Sequence, residues 1–196
     1  MGITEKLIRQ SKKPTGIVGK ILLGIMNGAH RQMTRWGLAH IVIPNNGAVL
    51  DVGCGGGKTI KYMSKHSGAA KLYGIDISPA SVSATLRANK KAVALGRVAA
   101  VAADVCDIPF DDAFFDVVIA VQTHYYWSDL KKAMAEIYRV VKPDGVFLLI
   151  AENYKMNYHM PRYKTMAEQR ALLLKTGFIK TDVHSTGRES CFVSTK

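Results

Sequence analysis

The chain has 196 residues, of which 48% are hydrophobic and 21% are charged. This length and composition predict one soluble globular domain that can bury a sizeable core. The 27 Lys and Arg outnumber the 15 Asp and Glu, and the resulting net charge of +12 is compatible with nucleic acid or an acidic membrane surface without being specific for either.

Two classes of protein are disfavoured by the residue pattern. No apolar run approaches the roughly 20 residues of a membrane span. The three cysteines, Cys54, Cys106 and Cys191, are widely spaced and contain no CxxC pair, so the sequence predicts neither a disulfide framework nor a metal site. A reducing, cytoplasmic location fits this cysteine usage best.

Residues 1–46 precede the first predicted core strand. They are basic and polar up to Thr15 and carry a helical pattern over 16–43, which a Pro-Asn-Asn-Gly run at 44–47 interrupts. We expect a helical arm that folds over the ligand site as a lid, followed by a core domain over 47–196.

Short apolar or β-branched runs alternate with helix-compatible segments through the core. Strands are predicted at 48–52, 71–76, 98–103, 115–121 and 146–151, and two more around Gly187 in the tail. Helices are predicted at 58–64, 79–96, from Ser128 to a Lys-Pro-Asp-Gly stop at 142–145, and at 165–176. This alternation predicts an α/β fold, a Rossmann-like sheet of seven mostly parallel strands with helices on both faces and an antiparallel last strand.

The glycine-rich turn after the first strand resembles three different nucleotide-binding devices. Its spacing lacks the third glycine of the dinucleotide motif G-x-G-x-x-G, because Lys58 occupies that position. The P-loop pattern would need a glycine at Val52, so the loop is one residue too short to wrap a phosphate chain. An acid, Asp51, precedes the turn, and a carboxylate there suits a ligand that carries an ammonium group instead of phosphates. S-adenosylmethionine (SAM) is such a ligand.

Acidic residues also stand at the ends of the next two strands. In an open α/β sheet, ligands bind at the carboxyl ends of the strands. We expect Asp76 to accept hydrogen bonds from ribose hydroxyls and Asp104 to accept one from the adenine amino group, with Ile77 and Val105 on the two sides of the ring. The alternative for Asp76 is a helix-capping or solvent-exposed acid, and the alternative for Asp104 is a turn residue.

The fourth strand ends in Gln-Thr-His-Tyr-Tyr-Trp at 122–127, the densest aromatic cluster of the chain. Aromatic rings at this strand end would lie beside the reactive end of the cofactor, where they could contact the substrate or the sulfonium. His124 and Tyr125 are the candidate catalytic residues, with His124 as a general base. The alternative for His124 is a hydrogen-bonded structural histidine.

Taken together, VLDVGCGGGKT, LYGIDIS, AADVCDIPF, FDVVIAVQTHYYW and EIYRVVKPDG resemble the class I SAM-dependent methyltransferases of the UbiE/type-11 kind over residues 47–151. The resemblance implies SAM as cofactor and S-adenosylhomocysteine as product. It implies cofactor contacts at Gly53, Gly55, Asp76, Asp104 and Gln122, and we expect Cys54, between the two glycines, to be a further contact.

The expected reaction is in-line methyl transfer to a small-molecule acceptor by a monomer or homodimer. The sequence lacks the Asp/Asn-Pro-Pro-aromatic motif of amine methylation on bases and the Pro-Cys nucleophile of cytosine methylation. Because of the basic charge, an RNA or other nucleic-acid methyltransferase remains the runner-up. A SAM-binding module without turnover is a third alternative.

Overall fold

Seven strands form a single sheet in the computed structural model, which describes residues 30–196. In chain order they are β1 (Ala48–Val52), β2 (Lys71–Asp76), β3 (Val98–Ala102), β4 (Phe115–Val121), β5 (Val141–Glu152), β6 (Lys180–Ser185) and β7 (Glu189–Thr195). The order across the sheet is β3-β2-β1-β4-β5-β7-β6. Strands β1 to β5 pair in parallel, and β7 runs antiparallel to both β5 and β6. The predicted seven-stranded, mostly parallel sheet with an antiparallel last strand is confirmed.

The central strand β4 shows why the sheet is covered on both faces. Side chains alternate between the faces of a strand, so a strand that is apolar at every position must be buried on both sides. Val118 and Ala120 lie in one buried hydrophobic cluster, and Val117 and Ile119 lie in the other.

Helices supply the covering layers on the two faces. They are α1 (Lys58–His66), α2 (Pro79–Ala88), α3 (Lys90–Ala94), α4 (Leu130–Val140), α5 (Asn153–His159) and α6 (Met166–Thr176). Met134 of α4 and Leu172 of α6 belong to the first cluster, whereas Ile60 and Met63 of α1 belong to the second. The predicted helices on both faces are therefore confirmed.

Residues 30–38 are helical and are here called the N-terminal helical segment. Met33 is buried in the second cluster, and a Cβ atom on Gly37 would lie 2.2 Å from Cδ1 of Ile150. This part of the predicted arm therefore packs directly on the sheet. The rest of the arm, residues 1–29, lies outside the described residues, so the lid and its boundary at residue 46 remain predictions.

Three local predictions differ from the structure. The single helix over 79–96 is divided at Asn89, whose side-chain amide donates to the carbonyls of Gly57 and Thr85 at 3.1 and 2.9 Å. The Lys-Pro-Asp-Gly run at 142–145 lies inside β5, where the register with β4 shifts and Asp144 takes a φ of 62°. Residues after β5 form α5, where the sequence predicts no helix.

The structure bears on disulfides, metal clusters and membrane-spanning helices for residues 30–196 only. All three cysteines are free and buried. Within residues 30–196, no cluster of His, Cys, Asp or Glu side chains could hold a metal ion. None of the helices in this part of the chain is long and apolar enough to cross a membrane. The cytoplasmic location remains a prediction.

Substitution of Gly57 tests the packing between the glycine turn and α2. Gly57 has a φ of 70°, and an added Cβ would lie 2.8 Å from Cα of Thr85. Gly96 has a similar φ of 67° with no atom within 4 Å, so it is the matched control. We expect Gly96→Ala to lower the free energy of unfolding by about 1 kcal/mol. Gly57→Ala should cost about 1–3 kcal/mol more, because the backbone of α2 must move. Equal costs in urea unfolding would contradict this packing.

Candidate functional site

The ends of β1, β2, β3 and β4 meet at one edge of the sheet and surround a cavity of about 320 Å³, the strand-end cavity. The parallel register brings these ends together, since Val52 of β1 pairs with Ile75 of β2 and with Ala120 of β4. The lining residues are Val52, Gly53, Ile75, Asp76, Ile77, Ala103, Asp104, Val105, Thr123, Tyr126, Trp127 and Ser128.

The turn over residues 53–57, the glycine loop, is fixed by backbone hydrogen bonds to β2. The amides of Gly53 and Cys54 both donate to the carbonyl of Ile75, at 2.8 and 3.0 Å. Gly53 has a φ of +72°, and a Cβ atom there would lie 2.5 Å from Cγ2 of Thr123. The loop therefore needs glycine at this position both for its backbone conformation and for its contact with the segment after β4.

Asp76 lies in the cavity wall and also holds two turns of the backbone. Its Oδ2 accepts a hydrogen bond from the amide of Gly55 at 2.9 Å, and its Oδ1 accepts one from the amide of Ser78 at 2.9 Å. Each carboxylate oxygen can accept a second hydrogen bond, so the cavity side remains available to a ligand. Sequence reasoning missed the bond to the glycine loop. The bond to Ser78 has a local signal, because the Asp-x-Ser spacing is typical of an Asp side chain that accepts from the backbone two residues further on.

Asp104 occupies the corresponding position after β3. Its Oδ1 accepts a hydrogen bond from the amide of Cys106 at 2.8 Å, and the residue lines the same cavity as Asp76. Two aliphatic side chains lie beside these acids in the wall, Ile77 at 75% exposure and Val105 at 8%. The structure thus brings together the two predicted acids and the two predicted apolar contacts.

Asp51 and Cys54 are buried below the glycine loop. Asp51 is 2% exposed, and its Oδ2 has no hydrogen-bond partner within residues 30–196. Burial, with a smaller contribution from the charge of Asp76, raises the pKa of Asp51 to about 8. Burial likewise raises the pKa of Cys54 to about 11, and its Sγ accepts a hydrogen bond from Oγ1 of Thr85. One oxygen of the Asp51 carboxyl group, Oδ2, therefore lacks a polar partner within residues 30–196, whereas the Cys54 thiol is packed and protonated.

Gln122 follows β4 in a left-handed conformation, with a φ of 61°. Its Nε2 donates to Sδ of Met33 at 2.9 Å, and its Oε1 accepts hydrogen bonds from the hydroxyl of Tyr125 and from Nζ of Lys155, the latter at 3.0 Å. Lys155 also pairs with Glu152. Gln122 therefore connects the N-terminal helical segment to α5 through its side chain.

His124 and Tyr125, the candidate catalytic residues, line neither of the two cavities described for this chain. His124 is 1% exposed, and its Nε2 lies 3.2 Å from Nε2 of Gln169. Burial lowers the pKa of His124 to about 3 and raises the pKa of Tyr125 above its usual value. Their catalytic role remains a prediction, and this burial favours packing. The neighbouring Tyr126 is 64% exposed and does line the strand-end cavity.

A second cavity, the basic cavity, lies on the other side of the glycine loop and has a volume of about 910 Å³. Gly53 lines the first cavity while Cys54 and Gly56 line the second, so the loop forms part of a shared wall. The remaining lining residues are His30, Arg31, Thr34, Arg35, Lys58, Thr59, Lys61, Tyr62, Lys65, His66, Val121 and Gln122. Sequence reasoning missed this cavity. The signal was the helical spacing of basic residues on two segments, at 31 and 35 and at 58, 61 and 65.

Comparison with known proteins bears on this arrangement. Residues 50–149 match the methyltransferase-domain family Methyltransf_11. The Bacillus subtilis methyltransferase YdaC is 27% identical over 161 residues, which are 81% of this chain and 86% of that protein. The Caenorhabditis elegans sterol 4-C-methyltransferase strm-1 is 37% identical over 123 residues, covering 60% of this chain and 35% of that protein.

A solved structure shares the fold. The SAM-dependent methyltransferase from Aquifex aeolicus superposes with a TM-score of 0.70 at 22% identity, over 83% of this chain and 88% of that one. The family match covers half of the chain, includes the glycine loop and both strand-end acids, and confirms the resemblance found in the sequence. The chain therefore belongs to the Methyltransf_11 family and is a methyltransferase that uses SAM as its cofactor.

Proposed function

We propose that the strand-end cavity holds the adenosyl part of SAM and that the chain transfers the methyl group to a small-molecule acceptor, leaving S-adenosylhomocysteine. One observation carries this proposal. Asp76 and Asp104 line one cavity beside the glycine loop. Asp51, the buried acid that precedes this loop, has an unpartnered oxygen, Oδ2.

The cavity wall matches the polar and apolar parts of an adenosyl group. Asp76 retains acceptor capacity for the two ribose hydroxyls, and Asp104 retains it for the amino group of adenine. Ile77 and Val105 present aliphatic surface on which the planar ring can pack. Hydrogen bonds to a carboxylate are stronger than those to a neutral acceptor, so these two acids are expected to supply much of the affinity.

The glycine loop leaves room for the amino-acid end of the cofactor. A Cβ atom on Gly56 would meet no atom within 4 Å, and one on Gly55 would meet only the Gly53 carbonyl at 3.9 Å. Below the loop, the unpartnered Oδ2 of Asp51 is the group that an ammonium would satisfy. An ammonium nearby favours the ionised carboxyl and so opposes the effect of burial.

The chemical step mainly requires the protein to align the acceptor with the methyl group and the sulfur of SAM. Bound SAM supplies a methyl group on a positively charged sulfur, and this charge is lost when the methyl group is transferred in line. Consecutive residues line the two cavities, Gln122 the basic one and Thr123 the strand-end one. The segment after β4 is therefore placed to orient an acceptor against the cofactor, which is the contribution that positioning makes to catalysis.

Two alternatives make different measurable predictions. An RNA methyltransferase would transfer labelled methyl from SAM to bulk RNA and to no small molecule. A binding module without turnover would bind SAM in calorimetry and transfer no methyl to any acceptor.

The similarity to a sterol methyltransferase supports a small-molecule acceptor. Monomer or homodimer remains a prediction.

Asp104→Asn tests the adenine contact. The Asn oxygen can still accept from the amide of Cys106, so the turn should survive while the charge is lost. We expect the Kd for SAM in calorimetry to rise about tenfold or more, because a hydrogen bond to a charged group contributes ~1.5–3 kcal/mol. Asp107→Asn, an exposed acid of the same loop, is the control and should leave the Kd unchanged. Equal effects of the two substitutions would remove the adenine assignment.

Asp51→Asn tests the ammonium contact through pH. A folded-state pKa of about 8 means that the native state holds a proton that the unfolded state has lost, so stability falls as pH rises from about 4 to 8. Asp51→Asn should lack this fall in urea unfolding without cofactor. In wild type, SAM affinity should rise with pH up to about 8, since the ionised carboxyl is the partner of the ammonium. A SAM affinity with the same pH dependence in wild type and Asp51→Asn would contradict the assignment.

His124→Asn separates catalysis from packing. A pKa of about 3 means that the native state binds fewer protons than the unfolded state between pH 3 and 6.5, so His124 makes the protein lose stability as pH falls through this range. The variant should lose less stability than wild type on the same acidification. Turnover per folded molecule is the second measurement, and a fall of about 10²–10⁴ would support the predicted general base instead.

A further inference from the structure

Two helical walls of the basic cavity face each other with charge of the same sign. The N-terminal helical segment contributes Arg31 and Arg35, and α1 contributes Lys58, Lys61 and Lys65. His30 and His66 add two imidazoles to the lining. Like charges on facing walls repel each other, and because all five cationic residues are exposed, water and salt weaken this repulsion without removing it.

The described residues do not supply that negative charge. No acid lines the cavity, and none of its five Lys and Arg side chains forms an ion pair within residues 30–196. Two other acids of the site are engaged or neutralised, since Glu152, whose charge acts on His30, pairs with Lys155, and Asp51 holds its proton up to a pKa of about 8. The sequence of residues 1–29 adds one acid, Glu5, and five Lys and Arg, which is a net positive charge.

The pKa values of two lining groups are lowered, mainly by burial and to a smaller extent by neighbouring positive charges. Burial is the first cause of the lowered pKa of Lys58, and the charge of Arg31 is the second. The pKa of His30 is lowered by burial, then by Lys155 and also by Lys58, while Glu152 partly opposes the change. An anion placed among these groups would raise both pKa values and offset the repulsion.

The walls are nevertheless held in contact. The guanidinium of Arg35 lies 5.2 Å from the centroid of the Tyr62 ring, and that ring stacks on His66 with centroids 4.3 Å apart. The first turn of α1 also borders the cavity through Lys58 and Thr59, and the positive end of the helix dipole adds to the field there. A preformed cavity with an uncompensated positive lining is what recognition of an anion requires.

We infer that the basic cavity is the acceptor site and takes a small molecule that carries a carboxylate or phosphate group. This inference rests on the proposed function, because the basic cavity shares the glycine loop and the segment after β4 with the strand-end cavity, where SAM is proposed to bind. A volume of about 910 Å³ is that of a small-molecule pocket. RNA fits less well, since single strands are bound by exposed aromatic rings, and the one aromatic ring of Tyr, Phe or Trp in the described lining, Tyr62, is already engaged by Arg35 and His66.

The variant Lys61→Gln/Lys65→Gln removes two charges from the α1 wall. Lys and Gln have similar helix propensity, so α1 should keep its stability. Lys131→Gln/Lys175→Gln removes two exposed lysines from α4 and α6, far in sequence from the cavity, and is the matched control. Arg31→Gln, on the opposite wall, is a second test that leaves α1 untouched. Urea unfolding checks that all variants fold.

Binding is measured by calorimetry with saturating S-adenosylhomocysteine. The probes are phenyl phosphate and 3-phenylpropionate, each with its neutral counterpart, phenol and 3-phenylpropionamide. We expect the anions to bind wild type and the Lys131→Gln/Lys175→Gln control, and their affinity to fall about tenfold or more in Lys61→Gln/Lys65→Gln, since two charge-assisted contacts are lost. Arg31→Gln should show a smaller loss in the same direction.

Three outcomes would overturn the inference: neutral probes that bind as well as the anions, no anion binding at millimolar concentration, or equal losses in the test and control variants. Binding of bulk RNA that depends on Lys61 and Lys65, with no binding of the small anions, would assign the surface to nucleic acid instead. SAM binding and methyl transfer by wild type are measured separately. Their absence would defeat the proposed function, whereas loss of anion selectivity alone would defeat only this inference.

Discussion

The carboxylate of Asp76 joins the two turns from which the site is built. One oxygen accepts the amide of Gly55 in the glycine loop, and the other accepts the amide of Ser78 at the start of α2. The end of β2, the loop after β1 and the cap of α2 therefore share a single charged group. Asp76 also lines the strand-end cavity and keeps acceptor capacity, so the same residue holds the shape of the cavity and, in the proposed function, contacts the ligand.

The glycine loop separates two cavities whose linings differ in charge. On one side, the strand-end cavity contains acids and aliphatic side chains, and on the other side the basic cavity contains cations and imidazoles. Such a separation over a few residues gives the loop a local electric field from the cationic walls toward Asp76 and Asp104. In the proposed arrangement, the methyl transfer that removes the positive charge of the cofactor would take place at the boundary between these two regions.

Much of the core could be predicted because its causes are local. Continuous apolar runs such as β4 indicate strands buried on both faces, and parallel topology then brings Asp76 and Asp104 to one edge. What escaped prediction depends on partners distant in sequence. Asn89 divides a helix because it reaches the Gly57 carbonyl, and His124 is buried against Gln169, 45 residues further on. The basic cavity requires two helical walls, neither of which indicates a site by itself.

The side chain of Gln122 connects three separate parts of the chain through its hydrogen bonds. Met33 belongs to the N-terminal helical segment, Tyr125 to the turn after β4 and Lys155 to α5, so displacement of any one of them alters the contacts of the others. A ligand that displaced the helical segment in the basic cavity would also alter the contacts of the Gln122 side chain, which stands next to Thr123 of the strand-end cavity. Because linkage is reciprocal, two ligands coupled in this way would change each other's affinity by the same factor.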